Sequence, residues 1–226
     1  MNLAKLFETQ RVLDARIEKE HPRVEGEDRL AKKILALQVE LGECANEWRG
    51  FKFWSAYQKP KNIIHTTQGA TTDNAVYYQC SEEECGERFN KNDERLNDLF
   101  GKNDEDCPVC EDGLLYAFRK KNPLLEEYVD CLHFILSIGL EYELKQSDFA
   151  YLGSELNETI IEQFIMLNVV LTETFYTPKM HIEPEFRQLI ELFIGLGEML
   201  GFTWEQVEQA YYEKNEINHA RQEAGY

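Results

Sequence analysis

Two pairs of acidic residues, each pair three positions apart, are the strongest candidates for chemistry in this sequence. Glu40 and Glu43 lie in QVELGECANEW, and Glu127 and Asp130 lie in LLEEYVDCLHF. On an α-helix this spacing places both carboxylates of a pair on one face, so two such helices packed face to face bring four carboxylates together. Like charges at that distance repel, and a hard cation such as magnesium relieves the repulsion. The pairs therefore predict a magnesium site that can hold phosphate oxygens.

The competing interpretation is that these acids form ordinary solvated helix faces. Acidic residues occupy 42 of the 226 positions, so pairs at this spacing arise by chance. Glu40, Glu43 and Glu47 also fit the exposed stripe of an amphipathic helix. The second pair is more informative, because Asp130 lies in a segment that is apolar nearly all round, where a carboxylate needs a partner or a metal. His133, three residues later, is interpreted as a core or supporting histidine rather than as a metal ligand.

Four of the six cysteines form a second candidate metal site. Cys80 and Cys85 have four residues between them, and Cys107 and Cys110 form the tight pair CPVC. Two cysteine pairs at such a separation are typical of a structural Zn²⁺ site, and a complete shell of four thiolates leaves no open position for catalysis. Free or redox-active thiols in a flexible loop are the alternative. The remaining cysteines, 44 and 131, lie in apolar helical runs and are expected to be buried thiols.

The charge of the chain limits its partners. Lys and Arg number 24 against 42 Asp and Glu, which gives a formal net charge of −18. Such a field repels phosphate backbones, so we expect no nucleic-acid partner. Charges interrupt the apolar runs, and the N-terminal segment is amphipathic and acidic without the core of a signal peptide. We therefore expect no membrane partner and a cytoplasmic location.

Most of the chain shows the apolar period of amphipathic helices, which must position these side chains. Predicted helices cover residues of about 2–20, 28–48, 123–144, 155–176, 184–200 and 204–224. Thr203 and Gln206 form a capping-box pattern at the start of the last helix. The pattern predicts an all-α fold, a helical bundle.

A polar segment interrupts this pattern. Residues 55–121 are rich in Asn, Asp and Gly and hold the two cysteine pairs. We interpret them as a small zinc-ribbon-like subdomain, inserted into a catalytic all-α domain that residues 1–54 and 122–226 form together.

Four segments, in the same order, match the motifs of one known family. They are LFETQRVLDARI, ELGECANEWRGFKFW, EEYVDCLHFILSIGLE and the C-terminal KNEINHARQEAGY. The chain thereby resembles the dimeric all-α dUTPases of bacteria, phages and trypanosomatids, over nearly its whole length outside the insert. The resemblance implies the fold of the all-α nucleoside triphosphate pyrophosphatases and a homodimer. It also implies magnesium-dependent hydrolysis of dUTP to dUMP and pyrophosphate, with dUDP as a second substrate.

The resemblance also assigns roles to individual residues. The magnesium ligands would be Glu40, Glu43, Glu127 and Asp130, with Glu40 orienting or deprotonating the attacking water. The phosphates or the sugar would meet Lys214, Asn218 and Arg221, and the uracil and deoxyribose would meet Gln10 and Trp54. Family members often have Asn where this chain has Asp14, so Asp14 receives no implied role. The cysteine-rich insert is absent from the trypanosomatid pattern, and the resemblance implies no purpose for it.

Two other functions stay open at this point. One is a related all-α pyrophosphatase with a different base preference, for dCTP or for mixed nucleotides, which would have the same metal site. The other is a non-catalytic zinc-ribbon interaction protein. Relative turnover of dUTP and dCTP separates the first alternative from a dUTPase, and release of pyrophosphate in the presence of magnesium excludes the second.

Overall fold

The structure, a computed structural model, describes residues 2–61, 63–96, 106–144, 149 and 152–225. The chain divides into two compact units. The first comprises Met1–Pro60 and Leu124–Tyr226, and the second comprises Lys61–Pro123. These boundaries come from the contacts within each unit. The division into catalytic domain and insert at residues 54/55 and 121/122 stays a prediction.

The described residues of the first unit form six long helices. They are α1 (Leu3–Glu20), α2 (Arg29–Trp48), α3 (Pro123–Glu141), α4 (Ile160–Tyr176), α5 (Ile182–Met199) and α6 (Trp204–Glu223). Helix α1 packs against α6, α2 packs against α4, and α4 packs against α5. The predicted all-α fold is confirmed. Within the described residues, no helix is long and apolar enough to cross a membrane.

Side-chain caps fix where several of these helices begin. Asp28 accepts a hydrogen bond from the backbone N–H of Ala31 at the start of α2. Thr203 and Gln206 form the predicted capping box of α6. Each cap satisfies backbone donors that have no partner within the first helical turn, which contributes about 1 kcal/mol.

Three predicted helix ends are wrong by a few residues. Helix α4 begins at Ile160 rather than at residue 155, because Thr159 and Glu162 form a capping box there. Helix α5 begins at Ile182, two residues before the predicted start. The proline in its first turn does not prevent this, because the N–H that proline lacks would have no partner within the helix. Helix α3 ends at Glu141 rather than at residue 144, where Glu143 adopts a left-handed backbone conformation with φ of 59°.

The core of the helical unit is built around α3 and α5. Tyr128 stacks on Phe193 with ring centroids 4.2 Å apart and donates a hydrogen bond to its carbonyl oxygen. A Cβ at Gly197 would lie within 2.5 Å of the Tyr128 hydroxyl, so this approach requires glycine. Cys44 and Cys131 are fully buried, as predicted. Because this core contains neither candidate metal site, the helices can form without a metal.

The second unit is a small antiparallel sheet. Its strands are β1 (Ile64–Thr66), β2 (Tyr77–Cys80), β3 (Arg88–Asn90) and β4 (Leu115–Lys121), in the spatial order β1-β4-β2-β3. Its own core is small and includes the cysteine sulfurs: Phe89, Tyr78 and Leu115 pack with buried Cys80 and Cys107. So little buried apolar surface makes this unit a candidate for stabilisation by a metal.

Candidate functional site

Helices α2 and α3 bring three of the four predicted magnesium ligands together. One carboxylate oxygen from each of Glu40, Glu43 and Glu127 lies within 4.8 Å of the other two. Glu40 and Glu127 are partly buried, and Glu43 is exposed. Solvated helix faces would point such acids apart, so this convergence from two helices is what the magnesium hypothesis requires.

Asp130 lies beside this group and is bound to a cation of the last helix. Its Oδ2 accepts a hydrogen bond from Lys214 Nζ at 2.6 Å, and the same Nζ lies 3.4 Å from Glu126 Oε1. Lys214 is itself only 9% exposed. The partner that a carboxylate in this apolar helix needs is therefore Lys214, and Asp130 does not join the three-carboxylate group in this conformation.

Mutual repulsion and burial make the carboxylate group electrostatically unfavourable without a cation. Burial, followed by the charges of Asp130 and Glu43, raises the pKa of Glu40 to about 7. The same causes raise the pKa of Glu127 to about 7. Burial also raises the pKa of Asp130, although Lys214 opposes that shift. A bound divalent cation would favour the ionised forms, and an all-oxygen donor set suits magnesium.

A cleft of about 780 Å³ opens at this group. Glu40 and Asp130 line it together with the predicted phosphate-binding residues Lys214, Asn218 and Arg221. The three residues of α6 thus share one cleft, as their spacing of four and three predicts. The volume lies in the range of small-molecule sites.

The cleft is also lined by a network of polar side chains that includes Gln10. Gln10 Oε1 lies 2.8 Å from His133 Nδ1 and accepts a hydrogen bond from the Tyr211 hydroxyl at 2.9 Å. Its Nε2 donates to Asp14 Oδ1 at 2.7 Å. Asp14 Oδ2 in turn accepts a hydrogen bond from Ser137 Oγ at 2.5 Å. Gln10 therefore lines the cleft as a member of a fixed network.

Trp54, the other predicted contact of the nucleoside, does not line this cleft. Its side chain is 66% exposed, and it packs edge-on against Phe51 and Phe53 in the segment after α2. Its contact with the base stays a prediction.

The four cysteines of the insert converge on one point. Cys80 Sγ lies 3.7 Å from Cys110 Sγ, and Cys85 Sγ lies 3.8 Å from Cys107 Sγ. All four sulfurs lie within 4.8 Å of one another, and none forms a disulfide. Four thiolates at about 2.3 Å from a tetrahedral zinc are roughly 3.8 Å apart. The spacing of the sulfurs therefore fits zinc.

The backbone around the sulfurs is shaped for this convergence. Hydrogen bonds from the backbone N–H groups of Asp112 and Gly113 lower the pKa of Cys110 to about 7. The N–H of Glu82 lies 3.4 Å from Cys80 Sγ, and a Cβ at Gly113 would collide with that sulfur. These N–H groups favour the thiolate form, whereas burial raises the pKa of Cys80 to about 12 when no metal is bound. Position 113 has no room for a larger residue.

A comparison with protein families matches most of the chain. A family model described as dUTPase matches residues 2–66 and 117–226. The chain belongs to this dUTPase family. The match makes it an enzyme of the dUTP diphosphatase type, with a nucleotide as its substrate. Residues 67–116, which hold all four cysteines of the insert, lie outside the match. A comparison with curated proteins finds no matching sequence.

Sequence reasoning missed part of the cleft of this dUTPase family member. His133, Asp14 and Ser137 all line the cleft. A signal was present, because Gln10 and Asp14 are four residues apart on α1, and His133 and Ser137 are four apart on α3. Each pair places two polar groups on one helix face, and only the packing of α1 beside α3 shows that the faces meet.

Proposed function

We propose that this chain hydrolyses dUTP to dUMP and pyrophosphate in a magnesium-dependent reaction, and that it also accepts dUDP. The observation that carries the proposal is the group formed by Glu40, Glu43 and Glu127 beside a cleft of nucleotide size. The family match supports the nucleotide substrate. The dependence on magnesium follows from the chemistry of the donor oxygens.

Glu40, Glu43, Glu127 and Asp130 would hold the magnesium. Bound there, the metal supplies positive charge to the phosphates and lowers the pKa of a water molecule. Glu40 would orient the attacking water and accept its proton, which requires the ionised carboxylate that a bound cation favours. Water adds to phosphorus and pyrophosphate leaves, so no covalent enzyme intermediate is required.

The cations of α6 would hold the phosphates. Lys214, Asn218 and Arg221 line the cleft, and Lys214 contacts Asp130. Lys214 keeps its charge despite burial, because Asp130 and Glu126 outweigh the cost of desolvation and raise its pKa. A charge-assisted bond from Arg221 to a phosphate oxygen would add to the binding that the metal provides. Gln10 and Trp54 would contact the nucleoside.

A panel of nucleotides tests this function. Purified protein with magnesium is given dUTP, dUDP, dCTP, dTTP and UTP, and release of pyrophosphate or phosphate is measured. We expect turnover of dUTP and dUDP that stops when magnesium is chelated. Preferred turnover of dCTP would replace the proposal by the related pyrophosphatase, and no release from any nucleotide would contradict it.

We further propose that Cys80, Cys85, Cys107 and Cys110 hold one structural Zn²⁺. Sulfur spacings of 3.7 and 3.8 Å support it, and a full shell of thiolates gives the zinc no part in catalysis. Thiols kept for a metal, together with a nucleotide substrate, favour the cytoplasm as the location. The acidic residues around the cysteines leave no role for nucleic acid.

A homodimer is proposed on the basis of an exposed apolar face. Leu35 and Val39 of α2 and Ile161, Ile165 and Val169 of α4 are each more than 40% exposed, and these two helices pack side by side. Exposed apolar side chains on two neighbouring helices are typical of a protein interface. Light scattering after size exclusion tests it: Ile165→Glu should halve the molar mass, and Val24→Glu in the α1–α2 connection should leave it unchanged.

A further inference from the structure

The sheet of the second unit has one face that its own core does not cover. Residues paired across an antiparallel sheet point to the same side, and side chains alternate sides along each strand. Tyr78, Phe89 and Leu115 point to the side of the small core and the cysteines. The opposite side, the outer face, is formed by His65, Tyr77, Gln79, Arg88, Asn90, Tyr116, Phe118 and Lys120.

The outer face carries positive charge and no acidic residue. Residues 61–123 contain 13 acidic and eight basic side chains, yet the charged members of the outer face are Arg88 and Lys120. Both are exposed, and Tyr116 on the same face is 50% exposed. Among the described residues, neither cation pairs with a carboxylate. On a chain of net charge −18, the outer face is therefore a local site where an anionic group is favoured.

The aromatic rings of the outer face pack against one another and present their edges to solvent. Tyr77 and Phe118 are stacked, with ring centroids 4.8 Å apart and planes 11° apart. The Arg88 guanidinium lies 5.1 Å from the centroid of the Tyr77 ring. Because β4 and β3 flank β2 on opposite sides, Phe118 and Arg88 cover opposite faces of that ring. The edges of aromatic rings carry partial positive charge, so the rings add to the attraction for an anion.

These contacts favour a carboxylate over a nucleic acid. A base stacks on a free, flat ring face, and both faces of Tyr77 are already covered. The phosphates of a nucleic acid would also be repelled by the −18 charge of the chain. Arg88 is instead oriented for a single carboxylate. Its Nε donates to Gln79 Oε1 at 2.9 Å, which fixes the guanidinium and leaves its NH₂ groups for two parallel hydrogen bonds.

The register of the strands gives the spacing between the two cations. Arg88 and Tyr116 both pair with Gln79, one from each side, and Lys120 lies four residues beyond Tyr116 on β4. At about 4.8 Å between strands and about 3.3 Å per residue, the backbone positions of the two cations are about 16 Å apart. An extended peptide covers that distance in about five residues. The stacked rings of Tyr77 and Phe118 lie between the cations.

We propose that the outer face binds an extended acidic segment of a partner protein. One carboxylate of the segment pairs with Arg88, a second about five residues away pairs with Lys120, and an apolar side chain between them packs on the ring edges. Tyr77, Arg88 and Tyr116 lie within residues 67–116, outside the family match, and none of them lines the cleft. The interaction therefore does not depend on the hydrolysis of dUTP.

A peptide selection tests the chemistry of the partner. The purified full-length chain is used to select from a displayed library of random peptides about 12 residues long, which is more than twice the span of the face. We expect the selected peptides to carry two acidic residues about five positions apart, with apolar residues between them. A selected peptide is then synthesised with a fluorescent label, and its Kd is measured by fluorescence polarisation. Failure to enrich any peptide, or enrichment of peptides without acidic residues, overturns the inference.

Single substitutions locate the peptide on the outer face. Arg88→Gln and Lys120→Gln should each raise the Kd of the selected peptide by about fivefold, the effect of one exposed ion pair. Added salt should weaken binding to the wild type more than to either variant, because it screens exposed pairs. Arg95→Gln is the matched control, since it removes the same charge from a residue that lies over Phe89 on the core side. An unchanged Kd in both outer-face variants, or an equal loss in the control, overturns the inference.

Two further measurements separate other occupants of the face. If oligothymidylate of about 20 nucleotides binds the wild type and displaces the peptide, the face takes single-stranded nucleic acid and the inference is wrong. If light scattering shows that Arg88→Gln lowers the molar mass, a second copy of the chain covers the face and the inference is also wrong. Turnover of dUTP and zinc content should equal those of the wild type in all three variants, which shows that they are folded.

Discussion

The two candidate metal sites of this chain are built in opposite ways. The carboxylates of Glu40, Glu43 and Glu127 project from two long helices whose core lies elsewhere. The thiols of the insert belong to the core of their own unit, where Cys80 and Cys107 are among its few buried side chains. The helical unit therefore has a core that is complete without the carboxylates, whereas the insert depends on its thiols for much of its packing.

This difference suits the two proposed roles: a metal at the carboxylates would take part in catalysis, and a metal at the thiols would stabilise the fold of the insert. At the carboxylates, exposure of Glu43 and an adjoining cleft leave space for water and phosphate. At the thiols, four sulfurs would complete the coordination shell of a tetrahedral metal. Removing the metal from the carboxylates should thus abolish activity, whereas removing it from the thiols should disrupt the structure of the insert.

The largest effect is expected at the thiol site. Cys107→Ser removes one of four ligands, and structural zinc sites contribute about 10–16 kcal/mol to the apparent binding free energy. Zinc content should fall from about one per chain, and limited proteolysis should cut within residues 61–123. Loss of dUTP turnover should be much smaller. Cys44→Ala, a thiol outside the cluster, should keep its zinc. A native protein with no zinc and four titratable thiols in the insert would remove the contrast between the sites.

The next effect concerns the carboxylates. Glu43→Gln and Asp130→Asn should leave the helical content unchanged and lower kcat for dUTP by about 100-fold or more, since a catalytic metal contributes several kcal/mol to stabilising the transition state. Glu47→Gln, one turn further along α2, is the control with normal turnover. Near-native kcat in both variants would mean that the acidic group is only a solvated surface.

A smaller effect is expected from the cations of α6. Arg221→Ala should lower kcat/KM for dUTP by about 1.5–3 kcal/mol, or about ten- to 150-fold, if Arg221 makes one charge-assisted phosphate bond. Lys214→Ala should lower kcat/KM as well, but it also leaves buried Asp130 without its partner at 2.6 Å, so its stability must be measured alongside. An exposed lysine outside the cleft, Lys32, provides the control. Unchanged kinetics in both variants would leave α6 a structural helix.

The smallest effect is a pH dependence of magnesium stabilisation. Glu40 and Glu127 have folded-state pKa values of about 7, above the ordinary 4.5, so without metal their contribution to stability is full below pH 4.5 and is lost as the pH rises to about 7. His133, whose pKa is lowered, acts in the opposite direction, but it acts equally with and without magnesium. The gain in unfolding free energy on adding magnesium should therefore grow by about 1 kcal/mol between pH 4.5 and 7. Urea titrations at both pH values measure it, and a constant gain would contradict the raised pKa values.

Local patterns were sufficient for the existence of the helices. The 3.6-residue apolar period and the capping box at Thr203 and Gln206 depend only on residues that are close in sequence. Both could therefore be recognised before the tertiary structure was known. Helix ends were less accurate, because competing caps such as Thr159 with Glu162 determine them within a few residues. The two candidate metal sites were recognisable from ligand types at regular spacings, since a helix or a short loop places residues at such spacings on a shared face.

What the sequence by itself determined is therefore which side chains share a face: Glu40 with Glu43, Lys214 with Asn218 and Arg221, and Cys107 with Cys110. What only the tertiary structure decided is which faces meet. Asp130 binds Lys214 rather than joining the three glutamates, and Trp54 lies away from the cleft that Gln10 lines. The wall formed by Asp14, Gln10 and His133 exists only because α1 lies beside α3, more than 100 residues further along the chain. Spacing along one helix determines the relative directions of side chains that are a few residues apart. Contacts between helices depend instead on how all the apolar faces pack together.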